Sequence, residues 1–85
     1  MSCYFEIEIK PEHLTQVTDV LYRNDIVTQI YRVTGRDKLH VHAVASSSDE
    51  MELFLHNVID RLPGIINCSC NMILSRIKDI KGLRL

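Results

Sequence analysis

The chain has 85 residues, of which 46% are apolar and 25% are charged, and its formal net charge is −1. This length predicts a single domain, residues 1–85, and the apolar content is sufficient for a packed core, which excludes a disordered chain. Ten basic and eleven acidic residues nearly cancel. That balance does not suit a chain that grips a nucleic-acid backbone by itself, because the task needs clustered lysine and arginine.

The sequence also bears on where the protein is expected to work. No apolar run approaches the roughly 20 residues that span a membrane, and Met1 leads directly into a strand pattern instead of a signal peptide. Three cysteines without an export signal indicate a reducing compartment and not a disulfide framework. We therefore expect a cytoplasmic protein with no membrane partner.

The first part of the chain predicts a strand followed by a helix. Apolar and polar residues alternate strictly from Cys3 to Lys10, which is the period of a strand with one buried face. Pro11 stops this strand and suits the first turn of a helix. Apolar residues then recur at helical spacing, so we expect a helix from Pro11 to Arg23, with Asn24 as its left-handed terminator.

A hairpin is predicted next. Residues 26–34 are rich in β-branched side chains and favour a strand. Gly35-Arg36-Asp37 is typical of a tight turn, because glycine tolerates positive φ and aspartate bonds its own backbone. Residues 39–45 alternate again, which predicts a third strand whose polar face carries His40 and His42.

A second helix and a last strand complete the pattern. Ser47 and Glu50 have the spacing of a capping box, in which the hydroxyl and the carboxylate each bind a backbone N–H. Pro63-Gly64 ends the helix, and residues 65–77 predict the last strand. Residues 82–85 predict no element. The second helix carries one apolar stripe, formed by Met51, Phe54, Leu55, Val58, Ile59 and Leu62.

The element order is β-α-β-β-α-β, which predicts an α+β, ferredoxin-like fold. Four antiparallel strands form one sheet with both helices on one face, and right-handed crossovers place the first and third strands in the centre. A second subunit is expected to dock on the other face, giving a dimeric α/β sandwich. On that open face we expect Tyr4, Glu6, Glu8, His40, His42 and Val44.

Three short motifs are informative in combination. They are Val33-Thr34-Gly35 followed by Leu39-His40-Val41 in the hairpin, Arg61-Leu62-Pro63-Gly64-Ile65 after the second helix, and residues 68–78 in the last strand. Together they resemble the hairpin loop, the helix exit and the final strand of the C-terminal effector-binding (RAM) domain of the Lrp/AsnC, or feast/famine, transcription regulators. The likeness covers nearly the whole chain.

This resemblance implies dimers formed by sheet-to-sheet packing and assembly of those dimers into higher oligomers. It implies that an amino acid or a related small effector binds between dimers, in contact with a glycine and an acidic residue of the hairpin loop and threonines of the last strand, and Gly35 matches that glycine. The charged groups of the loop could hold the carboxylate and ammonium ends of an amino acid. We expect no catalysis and no cofactor, and the candidate ligand-binding residues are Thr34, Gly35, Arg36, Asp37, Lys38, Cys68 and Cys70.

The sequence departs from the family pattern in three ways. The family loop has glycine, two residues and then aspartate, whereas Asp37 stands one place early and Lys38 takes the expected position. The family's Thr-x-Thr is here Cys68-Ser69-Cys70, and thiols are weaker hydrogen-bond partners than hydroxyls. The family's helix–turn–helix does not appear before Cys3. We therefore expect a stand-alone effector domain or a fragment of a longer regulator, which reaches DNA only through a separate domain.

Two pairs of residues suggest a metal ion. Cys68 with Cys70, and His40 with His42, each place two common metal ligands on one face of a strand. A metal site needs about four converging ligands, and the first strand separates these two pairs by a gap of about 10 Å. We therefore expect no metal, cysteines that are structural or line the ligand site, and histidines at the surface or an interface. A pH-sensing contact between subunits is the alternative for the histidines.

Other functions stay open at this point. A small ferredoxin-like enzyme, of the oxygenase or haem-modifying type, would use the open sheet face with His40 and His42 as its pocket. Glu6 and Glu8 share that face and would do acid–base work only if burial split their pKa values. A purely structural oligomerisation module is a third possibility. The sequence does not name the effector or the target genes.

Overall fold

The computed structural model describes residues 1–78, and its elements follow the predicted order. The strands are β1 (Ser2–Ile9), β2 (Val27–Val33), β3 (Lys38–Val44) and β4 (Ile65–Met72). The helices are α1 (Leu14–Tyr22) and α2 (Ser48–Asn57). A short 3-10 turn precedes α1 at Pro11–His13, and another follows α2 at Ile59–Arg61. The expectation for residues 82–85 lies outside the described residues.

The four strands form one antiparallel sheet in the order β2-β3-β1-β4. The first and third strands are therefore central, as predicted, and β2 and β4 are the edges. Both helices contribute buried side chains to the core on one face of this sheet. The predicted ferredoxin-like α+β fold is confirmed.

The core is organised by the alternation of β1. Its odd-numbered residues from Cys3 to Ile9 are buried, while its even-numbered ones are only partly covered. The Phe5 ring lies edge-on to Phe54 of α2, with centroids 6.0 Å apart. Fully burying such a side chain stabilises a fold by roughly 1.5–3 kcal/mol. The apolar stripe predicted for the second helix is also confirmed, since all its members are buried or packed against the core.

Four details of the predicted element ends differ from the structure. The α-helical part of the first helix begins at Leu14 and not at Pro11, and α2 ends at Asn57, well before Pro63, because 3-10 turns occupy Pro11–His13 and Ile59–Arg61. The last strand stops at Met72 and not at residue 77, because its partner β1 begins at Ser2 and Met72 already pairs with Cys3. Asn24 does not adopt a left-handed conformation; in the described chain, positive φ outside glycine occurs at Asp37. Asn24 ends α1 differently, with its side-chain Oδ1 accepting a hydrogen bond from the Ile26 N–H at 3.0 Å.

The start of α2 has the predicted cap with one change. Ser47 Oγ accepts a hydrogen bond from the Glu50 N–H at 3.2 Å. The Glu50 carboxylate does not return to Ser47; it accepts from the N–H and the hydroxyl of Ser46, at 3.2 and 2.9 Å. Both oxygens of the Glu50 carboxylate therefore accept hydrogen bonds, but from the residue before the N-cap and not from the N-cap itself, as a standard capping box requires.

Gly64 closes the connection between the second helix and β4. Its φ is +70°, and a Cβ at this position would overlap the imidazole ring of His13. Its carbonyl accepts a hydrogen bond from the Lys10 N–H at 2.8 Å, so the connection is tied to the end of β1. Glycine is therefore required here both for its backbone conformation and for the space it leaves.

Replacing Gly64 by alanine should destabilise the fold strongly. The left-handed backbone alone costs an L residue about 1–2 kcal/mol, and the clash with His13 adds to this. We expect G64A to lower the free energy of unfolding by at least about 2 kcal/mol, measured by urea denaturation with an unchanged m value.

Gly35 provides the matched control. Its φ is also positive, +116°, so alanine is strained there too, but an added Cβ would meet only Lys38 Cδ at 3.6 Å and no aromatic ring. G35A should therefore cost less stability than G64A. A loss in G35A that equals or exceeds the loss in G64A would contradict the importance of the His13 contact.

Removing the α2 cap should have a smaller effect. S47A deletes the acceptor for the Glu50 N–H, and such a loss costs about 1 kcal/mol of unfolding free energy. S48A is the control, because Ser48 is exposed and the cap bond belongs to Ser47. Equal melting temperatures for S47A and the wild type would show that the cap is not needed.

Candidate functional site

The hairpin loop between β2 and β3 is held in place from two sides. The Asp37 carbonyl accepts a hydrogen bond from the Ile9 N–H at 3.0 Å, which fixes the loop to the end of β1. The Asp37 carboxylate lies 3.6 Å from the Arg32 guanidinium on β2. Because Arg32 is largely exposed, this ion pair contributes little stability, at most about 1 kcal/mol, and serves to orient the carboxylate.

The predicted loop residues present mixed chemistry to solvent. Thr34, Gly35 and Arg36 are exposed, and Asp37 and Lys38 are half-buried. Lys38 is the first residue of β3 and pairs with Glu8 of β1. The loop therefore offers two cations, one oriented carboxylate and a hydroxyl within five consecutive residues, which is a combination that suits a small zwitterion.

Cys68 and Cys70 lie elsewhere, on the helix side of β4. They pair with Ile7 and Phe5, whose side chains are in the core, but both thiols are exposed because β4 is an edge strand. Beside them is a cavity of about 350 Å³ between β4 and the segment after α2. Its walls are mainly apolar, and it is lined by Phe5, Leu55, Ile59, Asp60, Leu62, Ile65, Cys68 and Cys70.

The two thiols are held in their protonated form. Burial, and then the charge of Asp60, raise the pKa of Cys68. Burial raises the pKa of Cys70 to about 11, with further contributions from Cys3 and Cys68. At neutral pH both groups are neutral thiols, which can line an apolar pocket but are poor nucleophiles.

A single chain does not join the predicted loop residues to the predicted cysteines. β1 lies between β3 and β4, so the loop and the cysteine strand are about 10 Å apart across the sheet. The seven predicted site residues thus form two groups, one at the β2–β3 loop and one at the β4 edge. Only a neighbouring copy could bring the two groups to one ligand.

Another cavity was missed by the sequence patterns. It has a volume of about 580 Å³ and lies between α1 and β2. The available signal was Arg32, which pairs with the buried Leu39 and so occupies a helix-side position of β2. A charged residue on the helix side of the sheet indicates that α1 does not fully cover β2 at that point. The lining residues are Leu14, Thr15, Thr18, Asp19, Tyr22, Ile30, Arg32 and Leu39.

The open face of the sheet carries the predicted polar residues, and the structure adds their contacts. His40 Nδ1 lies 2.5 Å from Glu6 Oε1, and His40 Nε2 lies 2.8 Å from His42 Nε2. The rings of Tyr4 and Tyr31 lie beside both histidines, with centroids 5.4 to 6.3 Å away. Burial, and then the charge of His40, lower the pKa of His42.

The cysteine pair and the histidine pair are on opposite faces of the sheet. The cysteines pair with odd-numbered residues of β1, whose side chains are buried under the helices, and the histidines pair with even-numbered residues, whose side chains are on the open face. Within residues 1–78, no group of three or more His, Cys, Asp or Glu side chains converges as a metal site.

No helix in this part of the chain has both the length and the apolar character needed to cross a membrane.

Comparison with solved structures supports the fold. Escherichia coli AsnC superposes with a TM-score of 0.80 at 21% identity, over 93% of this chain and 54% of that one. A transcriptional regulator from Neisseria meningitidis, solved with L-methionine, gives a TM-score of 0.82 at 13% identity over 98% of this chain and 55% of that one. The chain thus spans about half the length of these two proteins.

A third solved structure has a length similar to this chain. The protein TTHA0845 from Thermus thermophilus gives a TM-score of 0.80 at 14% identity, over 92% of this chain and 98% of that one. No curated protein matches the chain at a significant level. At these identities the structural likeness establishes the fold and not the ligand.

The family follows from the sequence profile. The profile of the Lrp/AsnC ligand binding domain matches residues 2–83, which includes the hairpin loop, both helices and all four strands. This match agrees with the resemblance seen in the motifs and with the AsnC-type architecture of the sheet. The chain belongs to the Lrp/AsnC ligand-binding domain family.

Proposed function

We propose that this chain senses a small effector, an amino acid or a related molecule, and responds by changing its state of self-association. The family match over residues 2–83 is the observation that carries the proposal. A structural neighbour from Neisseria meningitidis was solved with L-methionine, which supports an amino acid as the class of effector. The effector acts by binding one assembly state more tightly than another.

The proposed binding site combines the hairpin loop of one copy with the β4 edge of a neighbour. Arg36 and Lys38 attract the carboxylate of an amino acid, and Asp37 attracts its ammonium group. The cavity beside Cys68 and Cys70 is apolar and holds about 350 Å³, which is enough for an apolar side chain. Gly35 allows the loop to turn, because its backbone has a φ of +116°, a conformation that residues with a side chain rarely adopt.

The proposed basic unit is a face-to-face dimer. The helices cover only one face of the sheet, and the other exposes Tyr31 and Val44, which are 42% and 48% accessible. A second copy docked by a two-fold axis covers the same residues on both chains. Higher oligomers form from these dimers, and the effector binds where dimers meet.

The proposed role is binding and not catalysis. Solved relatives are described as transcriptional regulators, and the thiols beside the cavity are protonated and therefore poor nucleophiles. Contact with DNA requires a helix–turn–helix domain, which the described residues do not form, so it comes from a separate domain or a partner. We place the protein in the cytoplasm, where such regulators act.

Disrupting the open face should give monomers. V44E places a charge on the open face, at the end of β3, where docking of a second copy would desolvate it without a partner. We expect the wild type to be at least a dimer by size-exclusion chromatography with light scattering, and V44E to be a monomer at the same concentration.

L53E is the matched control for V44E. Leu53 is 61% exposed, but it lies on α2, away from the open face. It should leave the assembly unchanged. A monomeric wild type, or dissociation by L53E and V44E alike, would contradict the proposed interface.

At least one of the twenty amino acids should raise the melting temperature of the wild type. A ligand at a hundredfold excess over its Kd stabilises the native state by about 2.7 kcal/mol. For a domain of this size each kcal/mol corresponds to roughly 4–8 °C, so the expected shift is on the order of 10 °C, measured by differential scanning fluorimetry.

Asp37 and Asp25 give a matched pair of variants for this binding. D37N removes the carboxylate proposed to hold the ammonium group and keeps a residue that tolerates its backbone conformation, so the shift should fall by at least half. D25N alters an exposed aspartate at the other end of β2 and should retain the full shift. No shift with any amino acid, or equal losses in both variants, would reject the proposed site.

A further inference from the structure

Two imidazoles converge at the centre of the open face. His40 and His42 stand on β3, one of the two central strands, opposite Glu6 and Tyr4 in the middle of β1. Their Nε2 atoms lie 2.8 Å apart, within hydrogen-bond distance. The contact between the two imidazoles is not needed to hold the hairpin together, because backbone pairing of β2 with β3 sets its register. The pair is therefore available for a further role.

The other ring nitrogen of His40 is held by a carboxylate. His40 Nδ1 lies 2.5 Å from Glu6 Oε1, and the two side chains are 24% and 39% exposed. A carboxylate in this position fixes the orientation of an imidazole and makes its other nitrogen a stronger ligand, and it is the usual outer shell of a metal-binding histidine.

We propose that His40 and His42 bind a transition-metal ion of the zinc class through their Nε2 atoms, and that the same pair of a second copy completes the site. With zinc–nitrogen bonds of about 2.0–2.1 Å, two ligands of a tetrahedral site lie roughly 3.3 Å apart. The observed separation of 2.8 Å must therefore widen by about half an ångström when an ion binds between the two nitrogens. Both rings lie on the sheet surface, so this movement displaces no core side chain.

One chain supplies only two of the four ligands, in agreement with the lack of any larger ligand cluster in residues 1–78. The other two come from the face-to-face dimer proposed above, on which this part of the inference rests. The pair lies near the middle of the open face, so a two-fold axis that passes close to it would bring it opposite its own copy. Facing sheets are about 10 Å apart, so each imidazole needs to reach only about 5 Å.

Zinc titration of the full chain by calorimetry tests the site. We expect one zinc ion per two wild-type chains. H40A and H42A should each weaken binding at least tenfold. Glu6 is a positioning residue, so E6Q should weaken binding by about 10–100-fold without changing the number of ions bound.

Two control variants separate this site from other possible ligands. H56A removes an exposed histidine on α2 that pairs with Asp60, and it should keep the wild-type affinity. The double variant C68S/C70S removes the thiols on the opposite face and should also keep it. Wild-type affinity in H42A, or loss of binding in C68S/C70S, would overturn the histidine site.

Cobalt(II) reports the ligands and the geometry directly. Four imidazoles in a tetrahedron give intense visible absorption, two imidazoles with water give the weak absorption of an octahedral ion, and thiolates add an ultraviolet charge-transfer band. We expect intense visible absorption, no thiolate band and one cobalt ion per two chains. A thiolate band would overturn the proposal.

Light scattering of the metal-free chain distinguishes the failure of this inference from the failure of the dimer. A dimer that binds neither zinc nor cobalt would overturn the metal site and leave the proposed dimer intact. A monomer with one weakly absorbing cobalt ion per chain would overturn both the shared site and the dimer.

Discussion

The arrangement of this protein depends on the alternation of side chains along β1. This strand is hydrogen-bonded on both sides, to β3 and to β4, so its register is imposed on both neighbours. A slip of one residue would exchange the two faces of a strand. The buried Phe5 and Ile7 prevent that slip, because it would place two fully buried apolar side chains in water and glutamates in the core.

The same constraint separates the chemistry of the two faces. It directs Cys68 and Cys70 toward the helix side, where partial burial raises the pKa of both thiols. It directs His40 and His42 to the open side, where they meet Glu6. The hairpin loop lies at one end of this sheet, fixed to Ile9. The loop and the cysteines of one chain are therefore too far apart for one small ligand, and this is why we propose that effector binding is linked to assembly.

Most of the fold could be predicted from the sequence because local signals agreed with one another. The strict alternation of β1, the stripe of the second helix and the Pro63-Gly64 exit each pointed to one element, and their order left few topologies. The errors occurred where the end of an element depends on a distant partner. β4 stops at Met72 because its partner β1 begins at Ser2, whose carbonyl accepts one more backbone hydrogen bond, from the Ile73 N–H. No local pattern contains that information.

The candidate site was less predictable for the same reason. The loop residues and the cysteines were identified by type and motif, but their separation by β1 follows from strand order. The contact between His40 and His42 depends on side-chain orientation within one face. The cavity beside α1 depends on how far the helix covers β2, for which Arg32 was the only local indication.

The central claim is that an effector changes how copies of this chain assemble, and sedimentation velocity tests it most directly. The chain would be centrifuged alone and with a saturating concentration of each amino acid that raises its melting temperature. The account predicts that a bound amino acid shifts the population between dimers and larger assemblies. A sedimentation distribution that stays the same when the amino acid is bound would contradict it.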